Sequence, residues 1–486
     1  MKSKVLISII CLVFTFVCGL PLIGQNIVDL PQTFAYRATT WNDDPVEIIV
    51  DEPGTLGGKL DSVSKSIYVP YLYMRNLKVV GTLNGDDIKS LHSFANQLYD
   101  EQFYRLDLFE SCMVKGGDSL YVPEDNVMGY GHEGLPWDFP WPQEELILPN
   151  TLKKLIIEEI WSKSIIIGDS LMEWPACRPT SIYGIEYPNG TRFTVGFRVS
   201  ENNPYLSSLD GTLFNKEGDR LLRYGAYGER SIYTVPDGVC EIAADAFSQA
   251  TLTEIVLPEG IKSIGDLAFF AVYGLTQLHG GEDLGTNIKL GLDWLPSSLE
   301  HIGKKAFFYA RCPIVVLPPN VKTIDVEAFN YWHTPLVNVG VPGVVSTYCE
   351  LFSASPIPPV CMPNELNAGP FSLTVRNINS TYVNKNYRHA CLYVPTGSKA
   401  AYEQAFGWGY ECFENIIEVD DVMAAAREAI ATLIETDIQH VLPDSGGTEV
   451  YETACYNIQG QRLHCPAKGW NIVRYSDGST RKMYIK

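Results

Sequence analysis

One thirteen-residue pattern, written four times between Val235 and Phe329, limits what this chain can fold into. The copies are V-P-D-G-V-C-E-I-A-A-D-A-F (235–247), L-P-E-G-I-K-S-I-G-D-L-A-F (257–269), L-P-S-S-L-E-H-I-G-K-K-A-F (295–307) and L-P-P-N-V-K-T-I-D-V-E-A-F (317–329). Their shared form is apolar-P-x-x-apolar-x-x-I-x-x-x-A-F. The prolines at 236, 258, 296 and 318 are 22, 38 and 22 residues apart, so the middle interval reads as one period plus a 16-residue insertion. Self-similarity at this period marks a solenoid, whose units are too small to bury their own apolar faces and must stack on their neighbours.

Each copy follows a short apolar run, such as Thr253–Leu257 or Ile314–Leu317. Alternation predicts strands with Ile255 and Leu257, or Val315 and Leu317, facing inward; proline then ends the strand because it cannot donate to a ladder. The repeated positions predict two internal columns. One holds Ile242, Ile264, Ile302 and Ile324, the other Phe247, Phe269, Phe307 and Phe329. The alanine before each phenylalanine leaves room for the turn to close. Glu254, Val256, Ile314 and Val316, with Val337 and Asn338 of a weaker copy, are expected on the opposite, outward face. Val256, Ile314 and Val316 give that face an apolar stripe that a solvated sheet seldom carries. Either a partner docks there or another part of the chain covers it.

The pattern resembles the BspA-like leucine-rich repeats of bacterial surface proteins. The resemblance extends upstream to N-P-Y (203–205) and D-G-T-L-F-N-K-E-G (210–218), a hairpin with Gly218 at its turn, and downstream to L-Y-V-P-T-G-S (392–398) with Tyr402, Trp408 and Ile416. K-V-V-G-T-L-N-G-D-D-I (78–88) and Gly116-Gly117-Asp118 look like the amino-terminal cap of that family. The resemblance implies an α/β leucine-rich-repeat solenoid, β-rich, right-handed and horseshoe-like, with an N-terminal α+β cap and a small C-terminal β unit. It also implies a non-enzymatic protein that binds a protein or glycan, adhesion-type, through a concave β face, with no cofactor.

Lys2 and Lys4 precede the apolar run Val5–Cys18, and L-P-L-I-G (20–24) offers a small residue before Gln25, as a secretory signal does. Cleavage is expected after Gly24, with Gly19 as the other candidate. A lipid anchor on Cys18 is disfavoured by Val17, a poor neighbour for such processing. No later run approaches 18 apolar residues, so no other membrane span is expected. Removing residues 1–24 takes two lysines from the 37 basic residues, leaving 35 − 57 = −22. That charge repels phosphate backbones, so nucleic acid is a poor partner, and a secreted or surface-held monomer is expected. The ten remaining cysteines form no C-x-x-C and no zinc spacing with histidine. Cys312 falls in a core leucine slot. Cys455 and Cys465 flank Gln459–Gln461 symmetrically and either pair or stay free.

In order, the chain reads as signal (1–24), N-terminal cap (25–128), repeat solenoid with insertions and a degenerate end (129–418), helix and linker (419–447) and C-terminal β unit (448–486). Strands are expected at 46–50, 77–80 and 104–108, with a helix capped at Asn84 burying Ile88, Leu91, Phe94 and Leu98. L-P-N-T-L-K-K-L (148–155) is a first repeat, with divergent copies filling the gap to Pro236. A helix is expected over 422–441. The tail resembles the sorting or attachment segments of exported proteins.

The search for chemistry is short. Trp137 and Trp141, in a Pro/Trp-rich loop (134–142), could stack on a sugar, which would make the chain a carbohydrate-binding accessory. I-I-I-G-D-S-L (165–171) matches the nucleophile block of GDSL esterases, and Asp437 and His440 supply D-x-x-H. The same G-D-S-L recurs at 117–120, no G-x-N-D block supplies an oxyanion donor, and the repeats exclude the doubly wound sheet that such a triad needs. No H-E-x-x-H, calcium loop or phosphate loop is present, so no catalytic or metal-binding residue is assigned.

Overall fold

Each copy of the repeat forms one coil with two short strands, one before its proline and one around its isoleucine. A computed structural model of the chain describes residues 45–66, 74–98, 103–119, 121–129, 142–156, 162–175, 195–225, 231–248, 250, 252, 254–270, 272, 277–280, 291–308, 314–329, 349–363, 369–371, 373–375, 383–385, 387–408, 413–435, 452–457, 462–463, 469–475 and 480–485. Stacking the coils builds two sheets. The pre-proline sheet joins, in chain order, Ile232–Thr234, Glu254–Leu257, Gln277–Gly280, Gly291–Trp294, Ile314–Leu317, Cys349–Ser353, Tyr387–Pro395 and Phe413–Val419, all parallel. The isoleucine sheet runs through Glu241–Ile242, Ser263–Ile264, His301–Ile302, Thr323–Ile324 and Val360–Cys361.

The insertion is not a plain loop. It adds a strand to the pre-proline sheet, which takes both Gln277–Gly280 and Gly291–Trp294, while Ser263–Ile264 pairs directly with His301–Ile302. One sheet gains a strand in that interval and the other does not. The copy expected around Leu336–Val341 and Cys312 lie outside the described residues.

Between the sheets lie the two columns. Ile242, Ile264, Ile302 and Ile324 are buried and in register. The phenylalanine rings stack at 5.1, 5.1 and 5.2 Å between centroids from Phe247 to Phe329, with interplanar angles of 5°, 2° and 12°. The stack extends beyond the four copies: Tyr224 precedes Phe247 at 5.4 Å and Phe371 follows Phe329 at 5.5 Å. The Phe247, Phe269 and Phe307 amides donate to the Ala268, Ala306 and Ala328 carbonyls at 2.7–2.8 Å, and these alanines are fully buried. Two positions before each phenylalanine, Asp245, Leu267, Lys305 and Glu327 all hold φ of 54–58°, a left-handed turn repeated in the four copies.

Coils approach closely just after the isoleucine. A Cβ on Gly303 would stand 2.6 Å from the Gly265 carbonyl carbon and 2.7 Å from the Asp266 nitrogen. Gly303→Ala is therefore expected to cost about 1–3 kcal/mol by overpacking, measured by chemical denaturation.

The amino-terminal sheet is built the same way. Val46–Val50, Asn76–Leu83, Arg105–Asp107, Glu145–Ile147, Ser164–Ile167 and Gly196–Val199 are parallel neighbours, with Ser111–Met113 also on Asn76–Leu83. Leu152 and Leu155 are buried in the second apolar and isoleucine slots of the 148–155 copy, and its strand Lys154–Ile156 pairs with Val127–Gly129. Two helices cover this end: α1, Leu56–Ser66, and α2, Gly85–Ala95. Asn84 caps α2 in a capping box with Asp87, and Ile88, Leu91, Phe94 and Leu98 are buried as expected. The same Asp87 carboxylate reaches α1: it accepts from the amides of Gly54 (2.7 Å), Leu56 (2.9 Å) and Asn84 (2.9 Å).

A three-stranded hairpin, Leu206–Leu209, Thr212–Asn215 and Arg220–Arg223, divides the interior. Its first turn has Asp210 and Gly211 at φ of 50° and 89°, as two-residue hairpin turns require. Leu206 and Leu213 pack into the amino-terminal core, whereas Phe214, Leu221 and Tyr224 pack into the repeat core. At the far end, Cys361 ends the isoleucine column, and α3 (Lys399–Gln404) brings Tyr402 inside. The Tyr402 hydroxyl lies 2.7 Å from Ser353 Oγ and donates to the Ser355 carbonyl at 2.8 Å, and burial pushes the phenol pKa up. Trp408 Nε1 donates to the Pro359 carbonyl at 2.8 Å. α4, Val422–Glu435, follows; residues 436–441 of the expected helix lie outside the described residues. The tail strands Arg462–Leu463, Glu452–Asn457, Gly469–Tyr475 and Thr480–Ile485 form an antiparallel sheet. Cys455 lies in it, and Cys465 lies outside the described residues.

Candidate docking face

Parallel strands about 4.8 Å apart present their outward side chains in straight rows. On the isoleucine sheet and the amino-terminal sheet these rows carry ion pairs and hydrogen bonds, with Val360 and Ile49 the exposed apolar exceptions. Arg220 bonds Glu241 at 2.8 Å, His301 Nδ1 lies 2.7 Å from Thr323 Oγ1, and Lys322 pairs with Glu300. Lys78 bridges Glu110 (2.7 Å) and Glu47 (3.1 Å), whose hydrogen bonds raise the ammonium pKa. Arg105 bonds Glu145 at 3.1 Å. Such pairs keep a surface soluble and contribute little stability.

The pre-proline sheet differs. Its outward row runs Thr234 and Val256 on paired strands, then Val316, Phe352, Tyr393 and Ile417 on the later ones. The neighbouring row holds Ile232 and Glu254, then Cys391 and Asn415. On the early strands Ile232 is 53% exposed, Thr234 is exposed, and Glu254 and Val256 are half-buried.

Val316, expected as an open docking residue, is not open. It is 1% exposed, because α4 lies across Ile314–Leu317, Cys349–Ser353 and Tyr387–Pro395. Val316 and Phe352 form a buried cluster with Val422 and Ala426, flanked by half-buried Ala354, Tyr393, Val419, Met423, Ala425 and Ala429. Alternation placed Val316 on the correct face, but it carries no information about what lies over that face. Phe352 and Tyr393 escaped the sequence reading because their strands follow no clear copy of the repeat. Ile314 lies in its strand, but its side chain, like Trp137, Trp141, Val337 and Asn338, lies outside the described residues.

The G-D-S-L at 168–171 closes a coil. A Cβ on Gly168 would meet Asn150 Oδ1 at 2.4 Å, the Asp169 amide donates to Asn150 Oδ1 at 2.8 Å, and Ser200 Oγ donates to the Asp169 carboxylate. Asn203, fully buried, donates to the carbonyls of Gly168 (2.8 Å) and Leu171 (3.1 Å). Ser170 is half-buried and no helix follows it before residue 175, whereas a nucleophile elbow needs one; Asp437 and His440 lie outside the described residues. Among the described residues no group of three or more His, Cys, Asp or Glu could hold a metal, and no helix is long and apolar enough to cross a membrane.

Residues 231–357 and 292–389 match the family model for the BspA type leucine rich repeat region, in six copies. No curated protein matches the chain. Among solved structures, the chain is similar to the pneumococcal vaccine antigen PcpA, with 16% identity over 71% of this chain and 80% of that one, at a TM-score of 0.30. A leucine-rich repeat protein from Eubacterium ventriosum gives 14% identity, 57% and 89% coverage and a TM-score of 0.22. A leucine rich cell surface protein from Faecalibacterium prausnitzii gives 12%, 60%, 78% and 0.23. These TM-scores carry no weight in the assignment. The repeat match, together with coils built as that repeat requires, makes residues 231–389 a BspA-type leucine-rich repeat region.

Proposed function

We infer that this chain is exported and binds a protein partner at the cell surface, adhesion-type and without catalysis, across the outward face of its pre-proline sheet. The observation that carries the reading is the open half of that face. Ile232, Thr234, Glu254 and Val256 stand side by side on paired strands, mixing apolar and acidic groups, whereas ion pairs such as Lys78–Glu110 and Arg220–Glu241 run along the other two sheets. The amino-terminal lysines and apolar run support export. A concave, horseshoe-like curvature would let the open rows wrap a convex partner. The N-terminal cap (25–128), the solenoid (129–418) and the C-terminal unit (448–486) are the proposed divisions, the last as a sorting or attachment segment.

The test is a panel of immobilised extracellular-matrix proteins and a glycan array, probed with the chain from Gln25. Binding to at least one protein is expected, and Val256→Lys should weaken it at least tenfold, about 1.4 kcal/mol. Absence of any binding, or full binding by Val256→Lys, overturns the reading. A glycan signal lost on Trp137→Ala would favour the carbohydrate-binding alternative instead.

A further inference from the structure

The helix α4 sits on the very face assigned to docking, and we propose that it is a built-in competitor: an autoinhibitory helix displaced by a partner helix with a small-residue face. The proposal rests on the docking reading only for the existence of a natural partner; the contact of α4 with the sheet does not depend on it.

Val422, Ala425, Ala426 and Ala429 follow one another at helical spacing and so share one face of α4. Beneath them the rings of Phe352 and Tyr393 stack at 4.4 Å and 9°, a flat aromatic floor on which alanines can approach closely. Val316 and Phe352, each 1% exposed, point away from the coil interior and are covered by α4. This cluster is separate from the repeat core, and among the described side chains of α4, residues 422–429, none belongs to that core. Lifting α4 off therefore leaves both columns and both ladders in place.

The first half of the helix is also lightly held. Of residues 422–429 only Val422 and Ala426 are fully buried. α2 at the other end buries Gly85, Asp87, Ile88, Leu91, Phe94 and Ala95. Its first turn is tied by the Asp421 carboxylate, which accepts from the Ala424 amide at 2.9 Å. A helix of this length is marginal alone in water. What keeps it seated is its tether to the strand Phe413–Val419, which sets an effective concentration of about millimolar. A partner must outcompete that tether, and its apparent affinity falls by the fraction of molecules in which the face is open. Displacement adds the floor of Val316, Phe352 and Tyr393 to the open rows of Ile232, Glu254 and Val256, so one event extends the docking face along the sheet.

The test uses the full chain and a fluorescent peptide of residues 421–435 as the probe. Ala426→Glu puts a charge on the buried side of α4, and Ala424→Glu puts the same charge on its exposed side. Hydrogen exchange should show α4 deprotected in Ala426→Glu alone, and that variant should bind the peptide at least tenfold more tightly than wild type or Ala424→Glu. If Ala426→Glu lowers the melting temperature of the coils, Ala429→Glu on the same face replaces it with the same expected results. The proposal is overturned if α4 stays protected in the variant, if the freed face binds peptide no better than wild type, or if wild type already binds it as tightly. The peptide needs no natural partner, so failure of the matrix panel and failure of this proposal are separate results.

Discussion

Phe307→Ala costs about 3–5 kcal/mol of unfolding free energy, read by chemical denaturation. The ring is fully buried between Phe269 and Phe329, at 5.1 and 5.2 Å from each. Both neighbours are fixed by their own stacks, and the Phe307 and Phe269 amides are bound to Ala328 and Ala306. The cavity therefore cannot collapse, and the loss is expected at the upper end of the range for such truncations. Because stability in stacked repeats is carried by nearest-neighbour contacts, the damage should centre on the coils either side. An unfolding midpoint unchanged from wild type would exclude a continuous aromatic column.

Asp87→Ala should cost about 3 kcal/mol, since leaving the buried Leu56 amide unpaired costs roughly 1–3 kcal/mol and the part-buried Gly54 and Asn84 amides lose the same acceptor. The side chain is fully buried and joins the first turns of α1 and α2 through the Gly54, Leu56 and Asn84 amides. Asp87→Asn should cost less but not nothing, because its amide group brings a donor toward donors. Hydrogen exchange would reveal the cause: protection should fall at the start of both helices together. Loss at α2 alone would mean the bridge to α1 carries no weight.

The part of the fold visible in the sequence was the part where one coil must match the next. Ile242 and Phe247 recur because each needs a partner of its own shape above and below, so pattern and packing coincide. Tyr224 and Phe371 occupy the same column outside any recognisable copy, where only the slot is kept and the flanking pattern has drifted. α1 was not legible: Gly57 and Gly58 lower its helix propensity, and its start is fixed by Asp87, 31 residues from Leu56. For the candidate face, periodicity gave the side of the sheet for Glu254, Val256 and Val316. It could not give the cover, because α4 reaches Val316 from more than a hundred residues along the chain.

Leu213 and Phe214 are adjacent in sequence yet serve different interiors, so the hairpin works like a bulkhead in a hull. Flooding one compartment leaves the other dry, because the two apolar clusters share no side chain across that wall. A chain pulled or clipped at its amino-terminal end is thus expected to lose that compartment while the stacked coils beyond the hairpin keep their shape.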